Sequence, residues 1–119
     1  MTCPLVVERF VGNAADQGVL CLKGPLTAEN LIPFQQAMGR EPSPTVVLDF
    51  SDVPYVDSAG LGSLVTAYIS RHKTGRTMAL SGLNARVLKL LEITKTEELF
   101  LIFPTAEIAL EALGHAASA

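Results

Sequence analysis

The run Thr45-Val46-Val47-Leu48-Asp49-Phe50 is almost continuously β-branched or large and apolar. That is the pattern of a strand covered on both faces, not of one that lies against water. Ser51-Asp52-Val53-Pro54 then turns the chain, and Tyr55-Val56 runs briefly extended. Asp57-Ser58 is a helix start, because both residue types accept hydrogen bonds from the free N–H groups of a first helical turn. A doubly buried strand leading directly into a helix requires a sheet with helices packed on it. It also holds a small hydroxyl, Ser58, at a strand-to-helix junction on the surface.

The chain has 119 residues and fits one domain spanning 1–119, with an ordered core over about 4–113. Its length is enough to bury a core without cross-links. Hydrophobic residues make up 49% of it and the formal net charge is −3, with acids and bases interspersed. There is no basic stripe to attract a nucleic acid or an anionic membrane. No apolar run approaches membrane-spanning length, and the N-terminus lacks a basic stretch followed by an apolar one. These features lead us to expect a soluble cytoplasmic protein. Cys3 and Cys21 sit in apolar surroundings on expected strands without a spaced Cys or His partner. They read as core packing, not as a zinc site, and a disulfide between them is feasible but unneeded.

Pro4–Phe10 and Val19–Lys23 read as two strands joined by the turn residues around Gly12-Asn13, hence as an antiparallel hairpin. Asn30 as N-cap puts Pro33 in the first turn of a helix, where a missing N–H is harmless, with Leu31, Phe34, Gln35 and Met38 on one face. The helix after Asp57 extends to about Lys73, with Leu61, Leu64, Val65, Tyr68 and Ile69 toward the sheet. Its other side carries Ala59, Gly62, Ser63, Thr66, Ala67 and Ser70. That side reads as a solvated face or as a flat surface on which a partner backbone can approach closely. Thr74-Gly75 stops this helix. Thr77–Ser81 is a strand, and Asn84 caps a helix with Val87, Leu88, Leu90 and Leu91 inward. Leu99–Phe103 is a short buried strand. Pro104-Thr105 opens a last helix with Ile108, Ala109 and Leu113 inward, fraying from Gly114 onward. The order β-β-α-β-α-β-α-β-α predicts an α/β fold: a mixed, mainly parallel sheet of about five strands, the first antiparallel, packed with about four helices.

Chemistry at Ser58 is constrained by what is missing. Val56-Asp57-Ser58-Ala59-Gly60 is half of a Gly-x-Ser-x-Gly nucleophile elbow, with Val56 in place of the first glycine. A hydrolase also needs a base. His72 falls near the far end of the same helix, about 20 Å away, and His115 lies in the tail. Gly60-x-Gly62 is too short for a dinucleotide fingerprint, and no Gly-Lys-Ser/Thr element occurs. The acids show no metal-ligand spacing. Catalytic, cofactor and metal sites are therefore not expected. What remains is a cap, Asp57 or Ser58, at a helix N-terminus whose free N–H groups and dipole tolerate a phosphate. A phosphate on Ser58 would add about −1.5 to −2 charges beside Asp57, with Asp49 and Asp52 near in sequence.

Leu48-Asp49-Phe50-Ser51 followed by Val56-Asp57-Ser58-Ala59-Gly60-Leu61-Gly62 resembles the STAS domain family, and its branch of bacterial anti-sigma factor antagonists. The resemblance continues through Leu80-Ser81-Gly82-Leu83, Val87–Thr94, Leu99-Phe100 with Ile102-Phe103, and Glu107 with Ala109-Leu110, so it covers nearly the whole chain. It implies a non-enzymatic, phospho-switched regulator of sigma-factor-dependent transcription; no cofactor is expected, and a monomer is the default expectation for the free chain. Its partner would be an anti-sigma factor that is also a serine kinase. That kinase would phosphorylate Ser58 to weaken binding, and a serine phosphatase would reverse it. Partner contacts would come from Asp57, Ser58, Ala59, Gly60, Leu61, Gly62, Ser63 and Thr66. Two departures stand out. The family's Gly-Glu-Leu-Asp after the second strand is Gly24-Pro25-Leu26-Thr27 here, without either acid, and the glycine after the third helix is Lys95. The lost acids leave open an alternative: a STAS scaffold or accessory subunit of a sensory complex or lipid transporter, with Ser58 unphosphorylated.

Overall fold

The computed structural model describes residues 4–117. Five strands form one sheet in sequential order: β1 (Val6–Val11), β2 (Gln17–Lys23), β3 (Thr45–Asp52), β4 (Thr77–Ser81) and β5 (Leu101–Phe103). β1 is antiparallel to β2 and the other pairings are parallel. Helices α1 (Leu31–Arg40), α2 (Ser58–Lys73), α3 (Ala85–Thr94) and α4 (Ala106–Ala117) connect or follow the strands. Single 3-10 turns at Ala28–Asn30 and Glu97–Leu99 precede α1 and β5. The α/β architecture expected from the sequence is the one observed.

β3 is central, and its side chains alternate between two cores. Val46, Leu48 and Phe50 join Leu20 and Leu22 of β2, Phe34 of α1, Leu61 and Leu64 of α2, and Leu91 of α3. Val47 faces the other way, with Val19, Ala79 and the Ala109, Leu110 and Leu113 of α4. Three helices thus cover one face and α4 covers the other. Burying a Leu, Val or Phe side chain stabilises by about 1.5–3 kcal/mol, and β3 collects this on both sides.

Several local expectations are corrected. β2 begins at Gln17, whose buried amide clasps the preceding turn: Oε1 accepts from Asn13 N (3.0 Å) and Ala14 N (3.2 Å), while Nε2 donates to Leu110 O (2.9 Å). Asn30 precedes α1, but its side chain does not cap it; Nδ2 donates instead to Pro25 O (2.7 Å). Ile69 and Ile108 are exposed. The buried stripe of α2 is Leu61, Leu64 and Arg71 with Tyr68 half-buried, a narrower seam that leaves Ile69 on the flank. Leu99 lies in a 3-10 turn, and β5 is an edge strand with Leu101 exposed, not a buried one. α4 continues as helix to Ala117. Cys21 carries a free thiol in β2, and Cys3 lies outside the described residues.

The edge strand β1 is pinned by charge. Arg9 Nε donates to Glu41 Oε1 (2.8 Å) and Nη2 to Oε2 (3.1 Å), and Ser43 N also donates to Oε2 (3.1 Å). Burial alone would raise the Glu41 pKa, but the hydrogen bonds from Arg9 and Ser43 and the Arg9 charge hold it below its ordinary value of 4.5. A depressed carboxyl contributes stability that is complete above its unfolded pKa and is lost as pH falls through the folded one. Glu41→Gln is therefore expected to lower the urea midpoint at pH 7. The gap from the parent should narrow as pH falls below about 4.5, as followed by denaturation at a series of pH values.

Candidate functional site

The site grows from the C-terminal ends of β2 and β3. Gly24, with φ 116°, ends β2 in a conformation that side chains disfavour, and its N–H donates to Asp52 O (3.0 Å). After β3, Val53 N closes a turn onto Phe50 O (2.9 Å), and the Val53 side chain is sunk in the core. The two connections then run side by side. Leu26 pairs with Val56 in a parallel bridge, Leu26 N donates to Tyr55 O (3.1 Å), and Asp57 N donates to Leu26 O (3.2 Å).

Asp57 is the joint. One carboxylate oxygen, Oδ1, accepts from Gly60 N (2.8 Å) and so caps α2. The other, Oδ2, accepts from Ala28 N (3.0 Å) in the facing loop. One carboxylate therefore satisfies free N–H groups of two segments and locks them together. Gly60 is required by this closeness, since a Cβ there would lie 2.1 Å from Leu26 O. From the third side, α3 bolts onto the same loop. Asn84 caps α3 by accepting from Val87 N (2.8 Å), and its amide donates to Val53 O (3.2 Å) and Pro54 O (3.1 Å). The Arg86 guanidinium sits 4.9 Å from the Tyr55 ring centroid.

Ser58 is the first residue of α2 and is exposed, and its hydroxyl makes no hydrogen bond among the described residues. Capping is thus done by Asp57, and Ser58 is free. Gly62 and Thr66 are also exposed, and Ala59 and Ser63 half-buried. Gly60 and Leu61 are buried, so they shape the surface without presenting side chains on it. The acids near in sequence are not gathered at Ser58. Asp49 points to the α4 face of the sheet, where it accepts from Ser51 Oγ (2.6 Å) and lies 3.8 Å from Cys21 Sγ. Asp52 is exposed opposite Lys23 in the β2–β3 register. Of the predicted acids, only Asp57 adjoins the serine.

No base reaches Ser58 along α2. His72 lies in the last turn, about 20 Å along the helix, stacked on Tyr68 at 5.6 Å between ring centroids. Among the described residues no group of three or more His, Cys, Asp or Glu is placed to hold a metal ion, and no helix is long and apolar enough to cross a membrane.

Residues 10–109 match the family model of the STAS domain. The chain belongs to the STAS domain family. A protein from Thermotoga maritima described as an anti-sigma factor antagonist superposes with a TM-score of 0.79 at 24% identity, covering 89% of this chain and 92% of that one. An anti-sigma factor antagonist from Mycobacterium paratuberculosis gives 0.77 at 22% identity, over 94% and 97% of the two chains. A sulfate transporter family protein from Wolinella succinogenes gives 0.81 at 18% identity, over 92% and 93%. The STAS fold thus serves both antagonists and transporter-family proteins.

Within this STAS domain the segment Gly24-Pro25-Leu26-Thr27 faces the Ser58 end of α2, and it is stiffened by contacts the local sequence did not reveal. Pro25 is buried, and Thr27 Oγ1 donates to Asn30 Oδ1 (2.5 Å). The geometry separates two glycines of α2. Gly60→Ala drives a methyl group into a backbone carbonyl, and a loss of about 2–3 kcal/mol is expected. At Gly62 a Cβ meets nothing within 4 Å. Gly62→Ala should stabilise the helix by about 0.5–1 kcal/mol. Chemical denaturation of both variants checks the contrast.

Proposed function

We propose that this STAS domain is an anti-sigma factor antagonist. In this reading it docks on an anti-sigma factor serine kinase through the Ser58 end of α2, and phosphorylation of Ser58 switches it off. The observation that carries this is the exposed, unbonded Ser58 hydroxyl at the first position of a helix already capped by its neighbour. A kinase can take this hydroxyl without breaking any native hydrogen bond. The phosphate then sits at the positive end of a helix dipole, which favours it by about 0.3–1 kcal/mol, so the fold survives the modification. The change falls on the partner. About −1.5 to −2 charges appear on a docking surface of Asp57, Ser58, Ala59, Gly62, Ser63 and Thr66. An unpaired charge at a desolvated contact costs several kcal/mol, enough to shift affinity by orders of magnitude. The domain acts as a binding partner without catalysis, in sigma-factor-dependent transcription in a bacterial cytoplasm, and a serine phosphatase resets it.

A second reading, a non-catalytic accessory subunit of a sensory or transport complex, is favoured by a specific observation. Pro25 and Thr27 stand where antagonists carry acids, and both are engaged with Asn30, through the Pro25 carbonyl and the Thr27 hydroxyl. The two readings part on one experiment. The chain is incubated with the anti-sigma factor kinases of its own cell and ATP, and its intact mass is measured. Addition of one phosphate, abolished by Ser58→Ala, is expected. No phosphate on the parent chain, with a stable complex still formed, would leave the accessory reading. Ser58→Ala should bind the kinase constitutively and Ser58→Asp at least about tenfold more weakly.

A further inference from the structure

α1 and α2 lie side by side on one face of the sheet, and between them runs a groove of about 280 Å³. Phe34, Met38 and Ala67 give it apolar surface, while α2 adds Ser63, Thr66 and Ser70. The small residues of α2 are therefore not simply a flat solvated face, because part of that face forms one wall of a groove. At one end the lining includes Arg71. It stands in the last turn of α2, about 20 Å along the helix from Ser58.

Arg71 is unusual because it is a cation only 6% exposed. Its Nη2 donates to Ser43 O (2.6 Å) and Thr77 O (3.2 Å), and Nε to Thr77 O (3.4 Å). Its Nη1 has no acceptor, and Arg71 has no salt-bridge partner, among the described residues. No side-chain nitrogen there is both fully buried and unsatisfied, so Nη1 keeps some contact with solvent. The acid that acts on Arg71 is Glu41, and its carboxylate is already held by Arg9. Burial, and then the like charge of Arg76, push the Arg71 pKa down; Glu41 opposes them. Burying an arginine without a carboxylate is expensive, and carbonyl contacts offset only part of it. With Nε and Nη2 committed to the two carbonyls, Nη1 is the group left to donate to a carboxylate or phosphate oxygen.

We propose that the groove between α1 and α2 binds a small amphipathic anion, with a carboxylate or phosphate head against Arg71 and a short apolar body against Phe34, Met38 and Ala67. The volume lies just below the roughly 300–1,000 Å³ of ligand pockets and above the roughly 150 Å³ that holds a benzene ring. The body is therefore the size of one aromatic ring or a short alkyl chain. The groove shares Ser63 and Thr66 with the proposed docking surface, but its Arg71 end lies away from Ser58, and anion binding there does not depend on phosphorylation.

The test is a titration of the full chain, followed by ¹H–¹⁵N correlation spectra, with phenylacetate, phenyl phosphate and neutral 2-phenylethanol. Saturable shifts are expected along residues 35–39 and 63–71 for the anions, with a dissociation constant on the order of a millimolar. The alcohol should bind at least about tenfold more weakly. Saturation by only one anion would identify the head group as carboxylate or phosphate. Arg71→Met should abolish saturation. Because that variant also loses the ties to Ser43 and Thr77, Gly39→Leu provides the independent check. Gly39 lines the groove and a Cβ there meets nothing within 4 Å, so the leucine fills the space without strain in α1. Loss of binding in Gly39→Leu supports the site. The proposal is overturned by no saturation with either anion, by equal binding of the alcohol, or by undiminished binding to Gly39→Leu. A groove that ignores both anions yet closes on an acidic side chain of a protein partner would overturn it too.

Discussion

Val46, Val47 and Leu48 of β3 have no exposed surface at all. A strand in that position must be paired on both edges and covered on both faces. It is bonded to β2 and β4 and lies between three helices on one side and α4 on the other. The site sits on the end of this strand. What leaves β3 is held by the core at Val53, by β2 through Gly24, and by α3 through Asn84. The first turn of α2 is thus the projecting end of the most constrained element in the molecule. A site built on such an element keeps its geometry when a charge is added to it.

That rigidity bears on the switch proposed for this junction. Asp57 uses both carboxylate oxygens, on Gly60 N and Ala28 N, and Gly60 presses on Leu26 O. The backbone around Ser58 has no slack with which to answer a phosphate by refolding. A phosphate there can act by its charge and bulk on whatever docks, and the helix dipole stabilises it in place. This logic differs from a loop that orders or melts on modification. It also separates the two ends of α2: the N-terminal end offers a hydroxyl at a positive dipole end, whereas Arg71 brings a buried cation to the other.

The fold was legible where a residue's role is set by its neighbours in sequence. The unbroken apolar run of β3, a cap at Asp57 or Ser58, the cap at Asn84, and the stop at Gly75 all follow from local chemistry; only the structure assigns the first of these caps to Asp57. Asn30 misled because a distant carbonyl, Pro25 O, outcompeted the helix N–H groups for its side chain. Asp49 is near Ser58 in sequence but not in space. Strand alternation places it on the face opposite Leu48 and Phe50, away from α2, so the sequence does carry this signal. Gly60 and Leu61 belonged to the motif, but their burial shows that a short motif mixes residues that shape a surface with residues that form it. The burial of Arg71 is not legible locally because a charged residue reads as solvated, although it continues the Leu61, Leu64, Tyr68 stripe. The contacts of Arg86 with Tyr55 and of Glu41 with Arg9 join segments far apart in sequence, and no local pattern announces them.

We propose that Ser58 controls docking by charge on an unchanged fold. This is tested most directly by isothermal titration calorimetry of the unphosphorylated and Ser58-phosphorylated chain against the same anti-sigma factor kinase, with thermal unfolding of both forms recorded alongside. The account predicts affinity weakened by at least about tenfold, with similar unfolding curves. Equal affinity for the two forms, or weakened affinity accompanied by loss of the folded state, would contradict it.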